Sequence, residues 1–137
     1  MKRIATLLAI PVLLLGMAWA RDIQLTPGTV DPGAQGKVNI NTQKDETQQV
    51  KLDIQHLAMA SALTPPKMGY VVWIQPTDAP EHPAENHGVL NIGNKMQGSF
   101  QTTTAYPRYN VFVTAEDNLH ATQPSGPEVF RASVTPQ

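Results

Sequence analysis

An all-β fold, an antiparallel β-sandwich of the immunoglobulin-like or Greek-key type with about eight strands, is predicted by three features of this sequence. Val50, Leu52 and Ile54 alternate with Lys51, Asp53 and Gln55, the period-2 pattern of a strand with one wet face. Tyr70, Val71, Val72, Trp73 and Ile74 form an unbroken apolar run between Pro65-Pro66 and Pro76, the composition of a central strand buried on both faces. Turn-forming residues recur roughly every 8–15 positions and helical periodicity is scarce, which favours a sandwich over a parallel α/β sheet.

In chain order, Lys2-Arg3, an apolar stretch over 4–15 and the small-residue run ending Ala18-Trp19-Ala20 have the three parts of a cleavable secretory signal peptide at 1–20. The apolar stretch contains Pro11 and falls short of the roughly 20 residues that a bilayer span needs. Cleavage after Ala20 is expected to release residues 21–137 as a single β-sandwich domain. A short strand is expected over 22–25. Val38 and Ile40, flanked by Lys37, Asn39 and Asn41, predict a second strand, joined to that of 50–55 by an exposed hairpin loop at 43–47.

Residues 57–63 contain Ala58, Met59, Ala60 and Ala62, and Pro65-Pro66 limits them to a helical turn within a connection between sheets. After the apolar strand of 70–74, prolines 76, 80 and 83 predict a protruding loop over 76–88. Strands are expected over 89–92 and 99–104. Tyr109, Val111, Val113 and Ala115 alternate with Asn110, Phe112 and Thr114, an interior strand whose second face is only partly polar. A second long loop covers 117–127, and Phe130, Ala132 and Val134 line one face of the last strand.

Removal of 1–20 takes Lys2 and Arg3 and leaves eight basic against eleven acidic residues, a formal net charge of −3. That balance gives no basis for binding nucleic acid or an anionic membrane, and no second apolar run of spanning length follows. Cysteine is absent, so neither a disulfide framework nor a lipid-anchored cysteine is available and the domain must be held by packing.

Chemistry is carried by few residues. His56 with Met59, His82 with His87, Met68, Met96 and His120 are candidate copper ligands, since imidazole and thioether suit that metal, although their spacing follows no tight ligand motif. The ordinary alternative packs the methionines at core edges and leaves the loop histidines in water. Glu116 and Asp117 stand at a strand exit, where they fit either a solvated end or a calcium or general-acid site. No serine has a base-and-orienter context, and Gly33 to Gly36 precede a strand instead of the helix that a phosphate loop requires. Trp73 is expected to be the core anchor of the sandwich.

The order of Tyr70-Val71-Val72-Trp73, Gly88-Val89-Leu90, Val113-Thr114-Ala115-Glu116 and Pro124-Ser125-Gly126-Pro127 resembles the extracytoplasmic C-terminal domain of anti-sigma-K-type factors and related stand-alone exported bacterial proteins. The likeness spans about residues 68–134. It implies a β-sandwich sensory or interaction domain, with no catalytic residues to transfer. The sigma-binding domain and membrane helix that precede this module in such factors have no counterpart in the sequence.

The expectation is therefore an exported, non-enzymatic binding or protein-interaction domain of the bacterial envelope, periplasmic or secreted. Its partner would be an envelope or extracellular protein, with no nucleic acid, no membrane embedding and no cofactor, catalytic residue or metal ligand assigned. Its working surface would be the loops at 76–88 and 117–127, or an exposed sheet edge. A periplasmic copper-binding protein is the alternative.

Overall fold

The computed structural model describes residues 19–136; the expected signal peptide lies outside them except for Trp19 and Ala20. Among the described residues, nine strands form two antiparallel sheets: β1 Trp19–Gln24, β2 Thr26–Pro27, β3 Gln35–Thr42, β4 Gln48–Gln55, β5 Gly69–Pro76, β6 Glu85–Leu90, β7 Gly98–Thr104, β8 Tyr109–Glu116 and β9 Glu128–Val134. One sheet has the order β1-β3-β4-β7 and the other β2-β9-β8-β5-β6. The β5–β6 hairpin belongs to one sheet while β4 and β7, which flank it in sequence, pair in the other. This interleaving is what makes the two layers one sandwich.

Alternation decides which side chains meet between the sheets. Val38 and Ile40 of β3 and Val50, Leu52 and Ile54 of β4 point inward from one layer. Tyr70, Val72 and Ile74 of β5, Tyr109, Val111, Val113 and Ala115 of β8, and Phe130, Ala132 and Val134 of β9 meet them from the other. Each such aliphatic or aromatic side chain contributes about 1.5–3 kcal/mol by leaving water. The hairpin loop at 43–47 closes as expected, with Gln43 N–H donating to Thr47 O at 2.8 Å. Asp45 accepts from the hydroxyl and the N–H of Thr47, and these bonds hold its carboxyl below the usual range.

Several expectations need correction. The first strand divides: the chain leaves β1, buries Leu25, and adds the two-residue β2 to β9 in the opposite sheet. The connection between the sheets carries its one helical turn as expected, of the 3-10 type, at Ala60–Ala62. The proline loop is shorter than 76–88, because Pro76 still sits opposite Tyr109 and β6 begins at Glu85. Polar Glu85, Asn86 and His87 hide that strand from a hydropathy reading. Trp73 is buried, but not between the sheets: Tyr70, Val72 and Ile74 take the inward positions, which turns Val71 and Trp73 to the outer face with Phe112.

Two tyrosines tie the core across its polar edges. Tyr70 donates to Ala58 O at 2.6 Å, and burial, with the charge of Asp31, pushes its phenol up to about 12. Tyr109 donates to Gln48 Oε1 at 2.6 Å, joining β8 to β4 through the interior, and burial raises its phenol as well. Tyr109→Phe leaves the buried Gln48 carbonyl without its donor. A loss of about 1–3 kcal/mol is expected, read as a lower urea midpoint with an unchanged denaturant slope.

Candidate functional site

The outer face of the five-stranded sheet is the place where the fold departs from a simple sandwich. Val71, Trp73 and Phe112 form a second apolar cluster there, packed against Ala84, Leu119 and Ala121. The Trp73 and Phe112 rings stack with centroids 6.4 Å apart and 18° between planes, and the Arg131 guanidinium lies 4.6 Å above Phe112. Arg131 is held in turn by Glu128 at 2.6 Å. Loop 117–127 supplies the cover, so its attachment determines the shape of this face.

Glu116 makes that attachment. Its side chain is fully buried, which corrects the reading of a solvated strand exit. Trp73 Nε1 donates to Thr114 Oγ1 at 2.8 Å, and Thr114 Oγ1 donates to Glu116 Oε2 at 2.5 Å. From the far end of the loop, Ser125 Oγ donates to Glu116 Oε1 at 2.7 Å, and the N–H groups of Ser125 and Gly126 donate to Oε2 at 3.1 and 3.0 Å. Burial pushes the carboxyl up, but the bonds from Thr114, Ser125 and Gly126 outweigh it and hold Glu116 below the usual carboxylate range. Gly126 is required for close approach: a Cβ there would overlap the Ala115 carbonyl oxygen.

A second fastening comes from β6. Asn86 Nδ2 donates to Leu119 O at 3.1 Å and to Ala121 O at 3.0 Å, while Asn86 Oδ1 accepts from Gly88 N–H at 2.9 Å. The register of β5 with β6 shifts between Val72 and Trp73, and Gly88 adopts φ 131°, a conformation that a side chain would strain. A groove of about 550 Å³ runs between residues 84–89 and 119–122. Beside it, a smaller depression of about 190 Å³ is lined by Met59, Met68, Tyr70, Leu90, Ile92 and Leu119. Val89 and Leu119 belong to both. Met68 is 70% exposed and Met59 46% exposed, so these methionines do not pack at core edges.

The residues considered for metal binding are distributed over different surroundings. Met59 and Met68 share the depression, His120 lines the neighbouring groove, and His56 is exposed at the end of β4 with φ 59°. Met96 lies in the turn between β6 and β7, where its N–H donates to Gly93 O. His82 and His87 come to one cluster around Glu85. His87 is hydrogen-bonded to Thr102 Oγ1 at 2.8 Å and Glu85 Oε1 at 3.3 Å, Tyr106 donates to Glu85 Oε2 at 2.6 Å, and His82 meets the Tyr106 ring edge-on. The Tyr106 hydroxyl is the main cause of a lowered Glu85 carboxyl. Among the described residues, no three His, Asp or Glu side chains are placed to hold one metal ion.

The bonds to Glu116 produce a pH-dependent prediction. Its native pKa lies below the unfolded value of about 4.3, so its contribution is present above that value and is lost as pH falls through the native pKa. Glu116→Gln sets an amide N–H₂ against donors and is expected to cost about 1–3 kcal/mol at neutral pH. In urea titrations at successive pH values, the gap between wild type and variant should narrow toward pH 3. A gap that stays constant contradicts this account.

Comparison of the chain with protein-family models, curated proteins and solved structures finds no match.

Proposed function

We propose that this chain is an exported, non-enzymatic binding domain of the bacterial envelope that receives a protein partner on the seam beside β6. The observation that carries the reading is the exposure of Met59 and Met68 together in one depression, which shares Leu119 and Val89 with the larger groove. Methionine is flexible and polarizable, and it is favoured where a surface must fit another chain. The groove is lined by apolar Ala84, Val89, Leu119 and Ala121 together with polar Asn86, His120 and Thr122, a mixture usual at interfaces.

The loop bordering this surface is held at Glu116, Ser125, Gly126 and Asn86, so little conformational freedom has to be lost when a partner binds. The same bonds support the non-enzymatic reading: the best-buried carboxylate is enclosed by donors of its own loop, where a general acid needs to face a substrate. An envelope location accords with the leader-like opening of the chain and with the resemblance to anti-sigma-K-type extracytoplasmic domains.

A photoreactive residue placed at position 68 should crosslink one envelope protein in intact cells, and the same residue at position 49, on the opposite sheet, should not. With that protein purified, Met68→Asp is expected to weaken binding at least tenfold, about 1.4 kcal/mol, without altering the melting temperature. Equal capture from both positions, or turnover of an envelope substrate by the purified chain, would falsify the proposal.

A further inference from the structure

The two sheets have four edge strands, and three of them are blunted. β2 has two residues and ends in Pro27. β6 is bulged, contains Gly88 at φ 131°, and has loop 117–127 fastened alongside through Asn86. β1 carries Arg21, which reaches the Thr135 carbonyl, and Asp22, which accepts from Asn39 and faces Lys37 at 4.0 Å. Charge, proline, brevity and bulges are the usual means of preventing edge-to-edge pairing.

β7 has none of them. Its seven residues, Gly98 to Thr104, are uncharged and contain no proline. It pairs with β4 in one unbroken register from Gln48 opposite Thr104 to Ile54 opposite Gly98. Its three consecutive threonines and Phe100 favour extended backbone. Only its inward side is covered by the neighbouring sheet, where Thr102 meets His87 and the Phe100 ring fills the space above Gly88. Among the described residues, no loop or side chain bonds the free-side backbone of residues 99–103.

From this edge we infer that the chain forms a two-fold homodimer by antiparallel pairing of β7 with β7 of a second copy. A two-fold antiparallel pairing sets the central residue against itself, so a charge at the centre of the strand would confront its like. β7 avoids that conflict. Centred on Gln101, the pairing places Gln101 against Gln101 of the second copy, Ser99 against its Thr103, and Phe100 against its Thr102. On the outer face this brings amide to amide and hydroxyl to hydroxyl; on the inner face it covers the half-buried Phe100 ring.

Electrostatics beyond the edge also permits it. The nearest charge in the central row is Lys51, which stands beside Gln101 on β4. Two copies of Lys51 would be separated by three strand spacings, about 14 Å, which exceeds the roughly 8 Å screening length at physiological salt. The joined sheet would run β1-β3-β4-β7 and then the same four strands in reverse. The residues of the methionine depression take no part, so this inference and the proposed function stand or fall separately.

Because the chain has no cysteine, a single introduced thiol reports the pairing directly. Sedimentation equilibrium of the purified protein should give a dimer. Gln101→Cys should be largely disulfide-linked under mild oxidation, whereas Lys51→Cys, one strand inward on the same face, should remain a monomer under denaturing conditions. Gln101→Lys should raise the dimer dissociation constant at least a hundredfold while the far-ultraviolet circular dichroism and melting curve stay native. A monomer at millimolar wild-type protein overturns the inference, and so does Gln101→Cys crosslinking no faster than Lys51→Cys.

Discussion

The ladder between β5 and β8 carries apolar side chains on both of its faces, and this double burial governs the arrangement around it. Tyr70, Val72 and Ile74 oppose Ala115, Val113 and Val111 on the side of the sandwich core. Val71, Trp73 and Phe112 require separate cover on the other side. A sheet in a two-layer sandwich normally leaves its outer face to water. Here loop 117–127 must act as a third, partial layer, and it has little apolar surface of its own beyond Leu119 and Ala121.

Hydrogen bonding therefore does what packing cannot. A loop with few apolar contacts is held only if its backbone N–H groups find strong acceptors, and a buried carboxylate is the strongest that a protein can offer. Glu116 leaves β8 at the point where the loop departs and accepts from Ser125 and Gly126, where the loop returns. The path through Thr114 to Trp73 Nε1 links this polar closure to the apolar cluster beneath it. Cover and covered residues are thereby held by one connected network, in which the loss of a donor from Thr114, Ser125 or Gly126 leaves the Glu116 carboxylate inadequately satisfied.

Regular alternation made most of the sandwich readable from residues alone. Val38 and Ile40, Val50, Leu52 and Ile54, and the odd-numbered positions of 109–115 all take the faces that period 2 assigns to them. The misreadings have local causes. In β6, Asn86 faces loop backbone and His87 sits at the register shift, so neither displays the hydrophobicity of a strand. A continuously apolar run such as 70–74 reveals burial on both faces but not which face holds the tryptophan; Tyr70, with its hydroxyl bonded to Ala58, takes the inner side and so leaves the outer side to Trp73. The burial of Glu116 depends on donors nine and ten residues away, a relation that no local pattern contains.

The candidate surface follows from the same partial layer. A loop that covers only Val71, Trp73 and Phe112 must end somewhere, and at its margin the apolar surface continues through Leu119 and Val89 to Met59 and Met68. The outer face of the other sheet contrasts with it: Asp22, Lys37, Asn39, Lys51, Asp53, Ser99, Gln101 and Thr103 on its four strands are all polar or charged. Exposed Met59 and Met68 thus lie where the cover stops. Because Glu116 and Asn86 determine where that is, the shape of this surface is set by hydrogen bonds at some distance from the methionines themselves.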